Sequence, residues 1–285
     1  MTGATGVLPT LATLAASAAV ALLGACSTFS TFEPTTRPFP VRPAGLSKAD
    51  EADLLLSPAM GLASAGDAVV RVAGPQTTCT GTLIAEDLVL TAHHCVVVRL
   101  ADGRYSQSLV SPESIQIELG GDYLPWGNVG ARDIFAPPCG ESGGAGDLAV
   151  IVLERKLVGV ATLPLHGVSP RKGERVDAIG FGRCPLSAEG IRRRERLGGP
   201  ITALGRSTFE VQASVCPGDS GGPVIDRDTR EIVGVVSLSS MDNDETTRGR
   251  SVFARVDGLA NVSAYARLVA DGADPSDIPP LACER

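Results

Sequence analysis

In the stretch CPGDSGGPV, residues 216 to 224, a single Ser stands between an Asp and two glycines. A serine hydroxyl is a weak nucleophile near neutral pH, so chemistry at Ser220 needs a general base and a group that orients the base. The Gly, Pro and Asp around it suit a tight turn. Such a turn aims the backbone N–H groups of Gly218 and Ser220 at one spot beside the hydroxyl, where negative charge developing on a substrate carbonyl would be stabilised. The chain has three histidines in which to seek the base. His166, in LPLHGV, sits beside Pro and Gly in a connection and reads as a solvated side chain. His93 and His94 end CTGTLIAEDLVLTAHHC, where the strand-like run LVLTA meets Cys95. A bridge from Cys95 to Cys79 would close a loop worth about 3 kcal/mol in the chain-entropy account and would hold the neighbouring His rigid. On this reading either His93 or His94 can serve.

The elements that must position these groups read as strands. Short Val, Ile and Leu runs recur between Gly, Pro, Asp and Ser clusters, as in DLVLTA, DLAVIVL and EIVGVVSL. Helical periodicity is persuasive only in LANVSAYARLVADG, residues 259 to 272, with Asp257 or Asn261 as the cap and Gly272 as the stop. RRRER, residues 192 to 196, reads as a solvated loop, with a processing or binding site as the alternative. With 285 residues, 44% of them apolar, and a net charge of −7, the chain can build a large core, and its charge argues against nucleic acid as a partner.

The first 25 residues are apolar and carry no Asp, Glu, Lys or Arg. An export signal or a retained anchor would both fit. LGAC, residues 23 to 26, resembles the lipobox of bacterial lipoproteins, which implies a signal peptide over 1–25 and lipidation of Cys26. Residues 26–62 then form a lipidated Cys and a Pro/Ser/Thr-rich tether, with a short helix in SKADEADLLL. Six cysteines remain, an even number that suits three disulfides in an exported chain. None has Cys-x-x-Cys spacing, so no metal is expected, and no cofactor either.

TAHHC resembles the Thr-Ala-Ala-His-Cys motif of trypsin-like serine proteases, and CPGDSGGPV resembles that family's nucleophile motif. The resemblance implies His94 as the base, with His93 where the family usually has Ala. It implies Asp147, in GDLAVIVLE, as the orienting acid, in the chain order His, Asp, Ser. AIGFGRC, VGVVSLSS and VFARV extend the likeness, which places a protease domain at 63–275 and a tail at 276–285. The implied fold is all-β: two six-stranded antiparallel β-barrels with the active site between them, followed by a C-terminal α-helix. His94 and Asp147 would come from the first barrel and Ser220 from the second.

With that resemblance go disulfides Cys79–Cys95 and Cys184–Cys216, the second departing from the usual vertebrate pairing, and elimination among the six leaves Cys139–Cys283. It places Ser214, six residues before Ser220, at the floor of the primary pocket, and Ser237, Ser239 and Ser251 along its walls. With no carboxylate at 214, basic residues are disfavoured before the scissile bond. Ser239 and Ser251 narrow the pocket toward small or medium apolar residues. Val236, rather than a His, precedes Ser237, which argues against Glu specificity. No Ile-Val-Gly-Gly precedes Cys79, so either Asp219 pairs with an internal Arg, Arg175 or Arg183, rather than with a new amino terminus, or the chain awaits another trigger. The function implied is an exported serine endopeptidase, lipid-anchored in a bacterial cell envelope at the outer membrane or cell surface, or otherwise secreted. It would act on protein or peptide substrates and be open to a proteinaceous inhibitor. The alternative is a catalytically silent or latent protease-like binding protein.

Overall fold

The computed structural model describes residues 65–121, 125–137, 144–184, 191–240, 248–279 and 281. The chain divides into two compact units, Met1–Glu51 and Ala52–Arg285. Every described residue belongs to the second. The expected signal peptide, Cys26, the tether, Cys139 and Cys283 lie outside the described residues.

Strands β1 (Val69–Ala73), β2 (Thr78–Ala85), β3 (Leu88–Thr91), β6 (Gln116–Leu119), β7 (Gly127–Phe135) and β8 (Ala149–Leu153) close into one antiparallel barrel in the order β1-β2-β3-β8-β7-β6. A second barrel has the order β10-β11-β14-β13-β12-β9, built from β9 (Arg175–Gly180), β10 (Arg194–Leu204), β11 (Thr208–Ala213), β12 (Pro223–Asp226), β13 (Ile232–Ser239) and β14 (Gly249–Arg255). Both barrels and the late helix follow the sequence reading. A two-stranded hairpin, β4 (Val97–Arg99) and β5 (Tyr105–Leu109), stands outside both barrels and was not anticipated.

LVLT and AVIVL show no alternation because both faces of β3 and β8 are buried. One face fills the barrel, while the other is covered by α1 (Ala260–Ala270), which packs across β3, β7 and β8. The Phe135 and Tyr265 rings meet at 4.6 Å, and Arg267 pairs with buried Asp87 at 2.9 Å. The helix thus leaves the second barrel and closes the first. Its stop is as expected, with Gly272 at φ +99° and its N–H on the Val269 carbonyl. Its start is not. The N-cap is Leu259, with no side-chain cap, because Asp257 is held by Arg255 and Ser169. His166 also departs from expectation: its ring is largely buried and Nδ1 lies 2.7 Å from Glu231.

In the second barrel Phe209 and Phe253 pack edge to face at 5.5 Å. Gly234 makes room for them, since a Cβ there would meet the Phe209 ring at 2.5 Å.

Candidate active site

β3 and β8 are neighbours, with Thr91 opposite Ala149. The chain leaving β3 forms a single 3-10 turn, His93–Cys95, fixed by the Cys79–Cys95 disulfide to β2. Asp147 lies two residues before β8, so strand pairing alone brings it beside that turn. It meets His94, not His93. Its Oδ1 accepts the His94 backbone N–H at 2.9 Å and its Oδ2 lies 2.8 Å from Nδ1. Two contacts to one carboxylate fix both the backbone and the ring of His94. The Ser237 hydroxyl, on β13 of the other barrel, donates to the same Oδ2. Burial pushes the Asp147 carboxyl up, but the hydrogen bond and charge of His94, the Ser237 hydroxyl and the His94 amide outweigh it and hold the group below its ordinary 3.8. Asp147 is fully buried and stays ionised next to His94.

Ser220 is delivered from the second barrel, three residues before β12. Thr80, next to Cys79, ties the two barrels there. Its N–H donates to the Ser220 carbonyl at 2.8 Å, its hydroxyl donates to the Gly218 carbonyl at 2.7 Å, and the same oxygen accepts from Phe181 N–H at 3.0 Å. Gly221 shows why the turn needs glycine: φ is +82°, and a Cβ would lie 2.2 Å from Thr91 Oγ1 and 2.3 Å from the Thr80 carbonyl. Gly218, at φ +99°, also adopts a backbone conformation that favours glycine. The amides of Asp219, Gly221 and Gly222 are bonded within the protein, to Cys216, Val236 and Asp219 carbonyls. Those of Gly218 and Ser220 have no acceptor among the described residues. No hydrogen bond joins the Ser220 hydroxyl to His94, an arrangement that commonly tightens only when substrate binds.

The nucleophile loop is anchored underneath. Asp219 is fully buried, and its carboxylate accepts the backbone N–H of Gly182 at 2.7 Å and of Cys216 at 2.8 Å. Its cation is Arg196, with Nε 2.7 Å from Oδ2 and Nη2 3.2 Å from Oδ1. The expectation of an internal Arg therefore holds, but its identity does not. Arg175 and Arg183 are solvent-exposed, whereas Arg196, in the run expected to be a solvated loop, is buried on β10. That run is structural elsewhere too: Arg193 pairs with Asp67 at 2.9 Å across the barrels. The Cys184–Cys216 disulfide joins the Gly182 and Cys216 segments that bracket Asp219.

The expected pocket residues fall as follows. Ser214 is buried and locked to β10, accepting from Leu197 N–H at 3.1 Å and donating its own N–H to the Leu197 carbonyl at 3.0 Å. Ser239 and Ser251 are register partners on β13 and β14, with hydroxyls 3.0 Å apart. Ser237 is committed to Asp147, as described above. His94, Cys79 and Cys95 bring three potential metal-ligand atoms within 4.8 Å, but both sulfurs belong to the disulfide.

The sequence model of the trypsin family, described as "Trypsin", matches residues 62–262. The chain is 28% identical over 195 residues to a cercarial protease of Schistosoma mansoni, covering 57% of this chain and 70% of that one. It is 25% identical over 221 residues to an uncharacterized peptidase of Corynebacterium glutamicum (strain R), covering 70% and 71%. Among solved structures, a Glu endopeptidase in complex with MPD superposes with a TM-score of 0.58 at 21% identity, over 72% of this chain and 93% of that one. That last likeness is one of fold.

Proposed function

The chain belongs to the trypsin family, and from that premise we propose that it is a serine endopeptidase working through Ser220, His94 and Asp147. The observation that carries this reading is the two-point grip of Asp147 on His94 Nδ1 and backbone amide. It puts the proton on Nδ1 and leaves Nε2 as the base. Ser220 Oγ attacks the peptide carbonyl as Nε2 takes its proton, and the amides of Gly218 and Ser220 receive the oxyanion. His94, now charged beside ionised Asp147, returns the proton to the departing amine and leaves an acyl-enzyme. Water then attacks the acyl carbonyl by the same route.

For the residue before the scissile bond we infer a preference for Ala, Val, Thr or Leu. Ser214 supplies no charge, and Ser239 and Ser251, at the positions the family resemblance assigns to the pocket walls, carry side chains whose hydroxyls lie 3.0 Å apart. Discrimination by apolar fit is modest, about 1–3 kcal/mol per methylene, so a graded preference is expected. A peptide-library cleavage profile of residues 27–285, with the Ser220→Ala protein as control, tests both claims. Dominant cleavage after Arg or Lys would refute the pocket assignment, and no cleavage of any peptide would favour a latent or binding role.

The proposal extends to an export signal ending at Ala25 and lipidation at Cys26. Acyl chains on Cys26 would supply the several lipid signals stable anchoring requires. Cys26→Ser is expected to move the protein from the membrane to the soluble fraction or to block its processing. Unchanged membrane association would point to a spanning segment instead.

A further inference from the structure

The Gly218 and Ser220 amides each belong to a trans peptide whose carbonyl points the opposite way, so whatever holds those carbonyls also aims the amides. From Pro217 to Ser220 every carbonyl is held. The Pro217 carbonyl accepts Arg183 N–H at 2.9 Å, which sets the peptide that carries the Gly218 N–H. The Asp219 carbonyl accepts Gly222 N–H at 2.9 Å, which sets the peptide that carries the Ser220 N–H. The Ser220 carbonyl accepts Thr80 N–H at 2.8 Å. Between the two receiving amides lies the Gly218–Asp219 peptide, and its carbonyl, alone of these four, is held by a side chain: the Thr80 hydroxyl, at 2.7 Å.

We propose that Thr80 is a positioning residue for the oxyanion amides: from the first barrel, its hydroxyl holds the Gly218–Asp219 peptide in the orientation that keeps the Gly218 and Ser220 N–H groups together. The inference deepens the peptidase reading above and rests on it. The hydroxyl is not free to turn away. Its oxygen accepts Phe181 N–H at 3.0 Å, so its one proton goes to Gly218. Thr80 is itself fully buried, and the Thr91 hydroxyl donates to its carbonyl at 2.8 Å. A rigid anchor matters here because Gly218 has no side chain and sits at φ +99°, where glycine changes conformation at little steric cost. Without the hydroxyl, the peptide between the two amides is the one left unheld. The same stretch of β2 also serves the base, since Cys79 binds the His94 turn through Cys95 and the next residue binds the nucleophile loop. Two consecutive residues thereby set the spacing between base and oxyanion amides.

Thr80→Val keeps the side chain's shape and the backbone bond to Ser220 and removes only the hydroxyl. It is expected to lower kcat about a hundredfold with KM nearly unchanged, because contacts to the oxyanion are made in the transition state. Affinity for a peptide aldehyde, whose adduct with Ser220 places its oxygen at the two amides, should fall by a similar factor, while peptide affinity read in the Ser220→Ala background should not change. Thr80→Ser should recover most of both losses. Thr82→Val, on the same strand, is the control: its buried hydroxyl has no partner among the described residues, so turnover should stay at the parental rate. Thr80→Ala removes the same hydroxyl without adding a methyl and should reproduce the Thr80→Val losses, which keeps the test decisive if the valine variant does not fold. Parental kcat without the Thr80 hydroxyl, an equal loss in Thr80→Ser, or an aldehyde affinity that holds while turnover falls would each overturn the assignment. A parent chain that neither cleaves peptides nor binds the aldehyde would instead refute the peptidase reading, and this assignment with it.

Discussion

Ser220→Ala is expected to lower peptide turnover by about 10⁴ to 10⁶ while leaving thermal stability nearly unchanged. The size of the loss follows from division of labour. Asp147 and His94 have no route to the carbonyl except through the hydroxyl, so removing it silences all three at once. What survives is stabilisation by the Gly218 and Ser220 amides, which the substitution leaves in place. The fold should be indifferent because the bonds that hold this residue run through its backbone: Thr80 N–H donates to the Ser220 carbonyl, and the flanking Gly221 N–H donates to Val236. Equal turnover by the Ala variant would show that another group is the nucleophile. Loss of activity together with a collapsed melting transition would show that the hydroxyl is structural.

What could be read from the sequence was what the chain encodes locally. The nucleophile turn announces itself because Gly221 has no room for a Cβ, and the base because it abuts a cysteine that needs a partner on β2. Double burial turned β3 and β8 into continuous apolar runs, which still read as strands. The roles that escaped notice act over long separations. Thr80 grips Gly218 from 138 residues away and Ser237 reaches Asp147 across 90, and nothing beside either residue in sequence marks the partner. Arg196 was hidden differently. In RRRER a charge stands at every position, so the strand alternation that exposes Glu195 and buries Arg196 has no apolar signature.

Arg196→Met should destabilise the chain by about 3–5 kcal/mol and also lower its activity, because it strands a buried carboxylate. Arg196 and Asp219 have side chains 3% and 0% exposed, so water cannot replace the lost cation. Burial already raises the Asp219 carboxyl above 3.8, against the opposing charge of Arg196 and the amides of Cys216 and Gly182. Removing the arginine raises it further. A carboxyl raised by folding favours the fold when protonated and loses that contribution as pH rises through its folded value. The stability gap between Arg196→Met and the parent should therefore be small near pH 4 and widen toward pH 7. Urea midpoints at constant m would measure it. Activity should fall as well, since Asp219 holds the Cys216 and Gly182 amides that shape the loop presenting Gly218 and Ser220. Asp219→Asn combined with Arg196→Met should cost less than the sum of the two single changes, as expected for partners in contact. Arg196→Lys should recover part of the stability, keeping the charge but not the guanidinium bond to the Gly182 carbonyl. The pair also bears on activation. With Arg196 in place, Asp219 needs no new amino terminus, so a chain left uncleaved upstream of residue 65 should be active. Activity that appears only after cleavage there, and that vanishes when the freed amine is blocked, would show that Asp219 exchanges Arg196 for another partner.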